Sequence, residues 1–416
     1  MTRRIAIIGG GISGLTAGYI LSRSAHVTLF EADGRLGGHA DTHLVGQVPV
    51  DTGFIVYNER TYPLLTRLFA ELRVATRPSE MSMSVRCGGC GLHYAGKRGP
   101  GGLVPGLSRG GKPFLRMLAE VPRFHRAARR LLADGAPEDL TFGGFLRRGG
   151  YSGYFRAHFA LPLVGAVWSC PAGTALEYPA GYLFAFLANH GMLSVSGSPP
   201  WRTVAGGSRC YVERAARHLA AVKLGAAVKT VRRHPDGVEI CDAAGQLTDF
   251  DAVVIATHPD QALRLLERPT RAEREVLGAF TYTPNPALLH TDARLLPRRR
   301  GIRASWNYEL GDCQAATRHR QGPRISYHMN RLQGLPADRD YIVTLNGEDA
   351  VDQRHVIARM AYQHPAYAQA SIAAQRRLPG LNTPVSAFAG AYHGWGFHED
   401  GCRSGAQAAR ALGATW

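Results

Sequence analysis

The stretch Arg4-Ile-Ala-Ile-Ile8-Gly9-Gly10-Gly11-Ile12-Ser13-Gly14 decides the fold. A short apolar strand runs into a glycine turn, and the pattern that follows, Leu15 to Ser22, is that of a helix. A second apolar strand, His26 to Phe30, ends in Glu31. Each part has a mechanical task in a βαβ unit. Gly9 permits the tight turn, Gly11 lets the backbone approach a pyrophosphate, and Gly14 lets the helix pack closely on the sheet. The helix start, with Ser13 in its first turn, aims free amides and a positive dipole end at the phosphates. Glu31 stands where a carboxylate accepts hydrogen bonds from both ribose hydroxyls, and its charge repels a 2′-phosphate, which argues against NADP. The glycines alone are weak evidence. Here they follow an apolar strand, open a helix and are matched by a suitably spaced acid.

A second glycine-rich segment follows, Arg35-Leu-Gly37-Gly38-His39-Ala-Asp41-Thr42. It resembles the RxGGxxxT segment of the FAD-dependent amine oxidase and carotenoid (phytoene) desaturase superfamily. That resemblance implies an α/β fold, a Rossmann-like FAD-binding domain interleaved with an α+β substrate domain. It also implies FAD, with Arg35, Gly37 and Gly38 holding the pyrophosphate and ribityl chain and His39 assisting. Noncovalent FAD is expected, because no Cys or His sits in a recognisable flavinylation motif. In the superfamily the backbone near Val228 meets the adenine, and the strand Ala252 to Ala256, ending in Thr257, re-enters the FAD domain. The segment Gly390 to Gly405, through Phe397, looks like the motif that closes the site with a helix N-terminus, here read as Ala406 to Leu412. The acid that usually follows Ala-Gly is Ala391 in this chain, so Glu399 or Asp400 is expected to take over its contact with the ribityl chain.

Further blocks resemble one bacterial subfamily of NAD/FAD-binding flavoproteins encoded beside cyclopropane fatty acid synthases. They are Asp51-Thr52-Gly53-Phe54 to Asn58, Asn189-His190-Gly191, Trp201 to Val204 with Gly206 to Ser208, Ser305 to Tyr308, Met329 to Gln333 and Gly396 to Gly401. The first adds Thr52, Gly53 and Phe54 to the expected cofactor contacts. The resemblance implies an FAD-dependent oxidoreductase that takes a hydride from an acyl or lipid-like substrate onto flavin N5, in an oxidation or desaturation. A redox-neutral double-bond isomerase and a non-catalytic flavin-binding partner remain as alternatives. Removing a hydride also requires a group to take up the released proton. His393 and His398 are the first candidates, followed by His190 and Asn307. No motif assigns the lysine that many amine oxidases place near N5.

The interleaving predicts an FAD-binding domain from 1–60, 200–265 and 380–416, and a substrate domain from 61–199 and 266–379. With 416 residues, 45% of them hydrophobic, the chain has the composition of a globular enzyme and not of a disordered or fibrous one. The strand Ile5 to Ile8 leaves no room for a signal peptide before it, so a cytoplasmic location is expected. The longest apolar stretches, Phe159 to Trp168 and Tyr182 to Leu187, are too short to span a bilayer. Seven scattered cysteines predict reduced thiols. The net charge of +17 fits an anionic membrane surface, an acidic carrier or a carboxylate substrate; no nucleic-acid motif accompanies it, and a monomer or homodimer is expected.

Residues 112–133 read as a basic amphipathic helix, broken or kinked at Pro122, that packs on the substrate domain, with docking on anionic lipid as the alternative. Cys87-Gly-Gly-Cys90 lies between two alternating stretches and reads as a hairpin turning at Gly88-Gly89. Lacking a second CxxC pair, it predicts no metal site, and a reversible disulfide stays open.

Overall fold

A computed structural model describes residues 2–96, 100–194, 197–314 and 322–416. The strand Arg3–Ile8 lies at the centre of a five-stranded parallel sheet, between Ala25–Phe30 and Ala252–Ile255; Ala221–Lys223 and Ser386–Phe388 form its edges. Alternate residues of the central strand serve two cores. Ile5 and Ile7 pack with the helices Ile12–Leu21 and His398–Ala411, while Ala6 and Ile8 face Val231, Val238 and Ile240. These last residues belong to the antiparallel sheet Val228–Arg233, Val238–Asp242 and Leu247–Phe250. Cover on both faces is why the parallel strands read as unbroken apolar runs.

Two glycines set the turn as the sequence implies. Gly9 has φ +104°, and a Cβ on Gly14 would lie 1.9 Å from the Gly9 carbonyl oxygen. The helix starts at Ile12. The closing helix, expected from Ala406, begins at His398. Its first turn is polar and looks like a loop, but Glu399 accepts hydrogen bonds from the Leu64 and Leu65 amides at 3.1 and 3.0 Å, and Asp400 accepts from the Phe397 amide at 3.0 Å.

A seven-stranded sheet runs Val356–Ala366, Thr281–His290, Ile342–Leu345, Arg324–His328, Trp306–Leu310, Met83–Cys87 and His93–Gly96. Its apolar face and the adjoining helices share one core, with Phe124, Phe142, Phe155 and Phe184 fully buried. The Met83–Cys87 and His93–Gly96 strands pair antiparallel, as the hairpin reading expects. The basic helix is part of Pro100–Ala133, whose kink falls at Gly111, with φ 50° and ψ −141°. That corrects the expectation for Pro122, which sits inside the second segment without breaking it.

Asp51 joins three blocks that are far apart in sequence. It accepts from the Ser208 amide at 2.9 Å, the Ser208 hydroxyl at 2.8 Å and Gln333 Nε2 at 2.8 Å. Burial pushes its carboxyl up to about 6, against the lowering effect of its bonds to Thr42 and Ser208. Among the described residues, no helix is long and apolar enough to cross a membrane.

The Gly14 contact yields a prediction. Gly14→Val forces the helix off the strand turn and lowers stability by about 1–3 kcal/mol, the usual cost of overpacking. Urea denaturation of both proteins checks it, and an unchanged midpoint would show that the approach is not constrained.

Candidate functional site

Residues of both large sheets wall a cavity of about 1120 Å³. Small-molecule sites usually enclose about 300–1,000 Å³, so the space suits a dinucleotide and a substrate together. One part of the wall comes from the glycine turns. Gly9, Gly11, Ser13, Arg35, Gly37 and Gly38 line it, with Val228 and Thr257 nearby on the wall. The two turns are tied to each other, the Gly37 amide donating to the Gly10 carbonyl at 2.8 Å. No side chain caps the helix Ile12–Leu21, which leaves its first amides for a ligand. Glu31 lines the cavity and is held in place by the Gly10 amide at 2.7 Å and the Asp33 amide at 3.0 Å. Gly14 is not part of the wall, because it is used in packing the helix on the turn.

His39, Thr52, Gly53 and Phe54 form the next portion of the wall. Thr52 shares a 2.7 Å hydrogen bond with Tyr362, whose hydroxyl donates to Asp41 at 2.9 Å. His39 stacks on Tyr362 at 5.2 Å and lies 5.6 Å from His364. Burial and the neighbouring histidines lower His39 to about 3, and burial lowers His364 to about 4. Sequence reading missed Tyr362 and His364, since they lie on a strand of the other sheet. No motif in residues 359–364 signals them.

Aromatic and aliphatic side chains complete the cavity, among them Ile55, Val56, Trp168, Phe186, Trp201, Trp306, Tyr327 and Trp395. Gly390 and Phe397 line it too, as expected. His190 is the polar group in this part whose placement matters most. Its Nδ1 lies 3.0 Å from the Phe186 carbonyl, so Nδ1 carries the proton and Nε2 keeps a lone pair. That Nε2 is buried without a partner, and burial lowers the ring to about 4. His398 also lines the cavity, but it stacks on Phe54 at 3.7 Å and its Nε2 lies 3.0 Å from the Tyr211 hydroxyl. Burial lowers it to about 3.

Besides Gly14, four expected site residues are placed elsewhere. His393 lies outside the wall, half-buried beside Tyr392, so it does not line the cavity as expected. Asn307 bonds Ser84 at 2.8 Å, the Ala304 amide at 3.1 Å and the Ser326 carbonyl at 3.1 Å; it braces three strands and loops. Glu399 and Asp400 are taken up by the backbone bonds that hold helix starts in place, and neither lines the cavity to replace the missing acid at Ala391.

The wall fits a large polar and aromatic ligand on physical grounds. Buried polar atoms are nearly always paired. Yet His39 Nε2, His190 Nε2, His364 Nδ1, Trp306 Nε1 and Trp395 Nε1 have no protein partner. A dinucleotide site opening onto an apolar chamber is the arrangement of FAD-dependent oxidoreductases. The chain belongs to the flavin containing amine oxidoreductase family, whose sequence model matches residues 12–303, and FAD is the cofactor. It is 28% identical over 272 residues to a flavin-containing monoamine oxidase of Mycobacterium tuberculosis, across 61% of this chain and 57% of that protein. The chain thus spans under two thirds of the length of that relative. Among solved structures, putrescine oxidase bound to putrescine superposes with a TM-score of 0.71 at 16% identity, covering 99% of both chains. A conjugated-linoleic-acid-producing fatty acid isomerase from P. acnes gives 0.67 at 17% identity, covering 97% of both.

The buried histidines generate a pH prediction. His39, His190, His364, His393 and His398 have folded values of about 3 to 4 against 6.5 unfolded. Between these limits the unfolded chain binds protons that the folded chain refuses, so stability is full above pH 6.5 and is lost as pH falls towards 4. Asp51, Glu399 and Asp400, whose carboxyls burial raises, work in the opposite direction, but they are outnumbered by the histidines. Urea midpoints should drop steadily from pH 7 to pH 5. A flat profile would mean that these rings are hydrated or paired.

Proposed function

We propose that the chain is an FAD-dependent oxidoreductase that withdraws a hydride from a hydrophobic, acyl or lipid-like substrate, in an oxidation or desaturation. The aromatic and aliphatic chamber carries this reading. An apolar substrate gains about 25 cal/mol per Å² of surface it buries there. The only lysine on the described wall is Lys229, beside Val228 and away from the aromatic chamber, which fits an acyl chain better than an amine.

FAD, when bound noncovalently, supplies the hydride acceptor. The protein's part is binding, orientation and proton uptake. The amides of the Ile12 helix and the two glycine turns take the pyrophosphate, and Glu31 takes the ribose hydroxyls. In this reading Arg35, Gly38, His39, Thr52, Val228 and Thr257 complete the cofactor contacts, and the domains divide at 1–60, 200–265 and 380–416 against 61–199 and 266–379. Trp168, Phe186, Trp201 and Trp395 exclude water from the reacting carbon. His190 is the proton acceptor: its Nδ1 hydrogen bond to the Phe186 carbonyl leaves Nε2 unpartnered with its lone pair available.

The surface supports a lipid source. Val104, Leu107 and Leu115 are exposed at 55%, 43% and 54%, and Arg109, Lys112 and Arg116 stand among them. Exposed apolar side chains next to cations on this helix pair suit an anionic membrane surface.

The fatty acid isomerase with this fold shows that such a framework serves lipid chemistry in another protein, which keeps the redox-neutral reading in play. Anaerobic addition of unsaturated and saturated fatty acids separates the two. Net bleaching of the flavin is the expected result; product without net bleaching indicates isomerisation, and neither outcome rejects both. His190→Phe should retain FAD and lower turnover by about 10²- to 10⁴-fold, the usual contribution of a general base. Unimpaired turnover in that variant would remove His190 from the chemistry.

A further inference from the structure

We propose that Cys87, Cys90, Cys313 and His158 form a zinc site distant in role from the cavity. Their ligand atoms all lie within 4.8 Å of one another. Two of the edges have the size that one tetrahedral zinc ion demands. Zn–S bonds of about 2.3 Å and Zn–N bonds of about 2.0 Å give S···S edges of about 3.8 Å and S···N edges of about 3.5 Å. Cys87 Sγ and Cys313 Sγ are 3.8 Å apart, and Cys90 Sγ and His158 Nε2 are 3.6 Å apart. A disulfide needs about 2.05 Å between its sulfurs, so the pair is set for a shared ion and not for a bond.

The histidine is prepared for a metal. Its Nδ1 lies 3.0 Å from the Tyr154 carbonyl, which fixes the proton there and aims the Nε2 lone pair at the cysteines. Zinc-ligating histidines regularly have such a second hydrogen bond. Its own carbonyl accepts from the Tyr94 hydroxyl at 2.7 Å, and the Tyr154 ring packs on the imidazole at 4.1 Å. His158 lies in the π-helical turn Arg156–Ala160, a local winding often found where a side chain must be aimed. The backbones are equally close. The Gly88 amide donates to the Leu310 carbonyl at 2.9 Å, and a Cβ on Gly88 would lie 2.7 Å from the Gly311 oxygen.

Three thiolates and an imidazole are a soft ligand set that selects zinc over calcium or magnesium. With all four positions supplied by protein, the site is closed and its role is structural. It fastens the hairpin tip to the end of the neighbouring strand and to the π-turn, segments 226 and 68 residues away. The helix from Pro100 leans on this hairpin, since a Cβ on Gly110 would lie 3.2 Å from Leu92 Cδ1.

The test is metal analysis of the full chain purified in reductant without chelator, then incubated with zinc chloride and desalted. About one zinc per chain is expected, released stoichiometrically when a mercurial titrates the thiols, and the cobalt-loaded protein should show the intense visible bands of a tetrahedral thiolate site. The Cys90→Ser, Cys313→Ser double variant should lose the zinc while keeping its FAD absorbance. Reduced wild-type chain that takes up no zinc would overturn the proposal, as would zinc retained undiminished by the double variant.

Discussion

The close stacking of two helix starts on one strand turn is the contact from which the site geometry follows. Gly14 brings the Ile12–Leu21 helix against Gly9, and Gly405 brings the His398–Ala411 helix against the first, since its Cβ would lie 2.3 Å from the Ser13 oxygen. Side chains at either place would separate the layers. With the layers in contact, both helix N-termini reach the same cavity, one at Gly11 to Ser13 and the other at Phe397 to His398. Two positive dipole ends then face one space, which suits a ligand with phosphates at one end and a ring that gains negative charge at the other.

The second sheet gives that space its other wall, and the polar ties between the bodies explain why it stays in register. Asp51, Ser208 and Gln333 form a buried junction, and Tyr362 reaches across to Thr52 and Asp41. Buried hydrogen-bonded networks of this kind cost much to open, because each broken bond leaves an unpaired group in a low dielectric. Rigid walls matter for hydride transfer, where a small misplacement of the reacting carbon costs rate steeply. The proposed zinc cluster belongs to the same logic at the far edge of the sheet. There Val85, Leu92 and Tyr94 of the hairpin already join the large core, and a metal would add a further restraint at its tip.

The buried histidines show how environment overrides residue type. His190 and His398 are chemically alike and both line the cavity. One has a ring nitrogen with no partner, while the other is stacked on Phe54 and bonded to Tyr211. His393, adjacent in sequence to the cavity segment, lies off the wall beside Tyr392. Proximity in sequence to a cofactor motif therefore says little about which histidine faces the ligand, because the 3-10 turn Ala391–His393 redirects successive side chains by about 120°.

The sequence by itself determined the nucleotide half. The strand, the glycine turn, the helix and Glu31 are local features, and their spacing acts within some thirty residues, where backbone sterics leave few choices. The same holds for the hairpin around Gly88-Gly89. The tertiary structure alone decided which distant residues meet. Glu399 and Asp400 looked free for a ligand and are committed to helix starts; Asn307 looked polar and reactive and is a brace. Tyr362 and His364 enter the site from a strand whose pattern carries no motif. Cys87 and Cys90 lacked a second pair in sequence, yet the fold brings Cys313 and His158 to them. Ligand sets and active-site walls are assembled by long-range packing, which no spacing rule within one segment encodes.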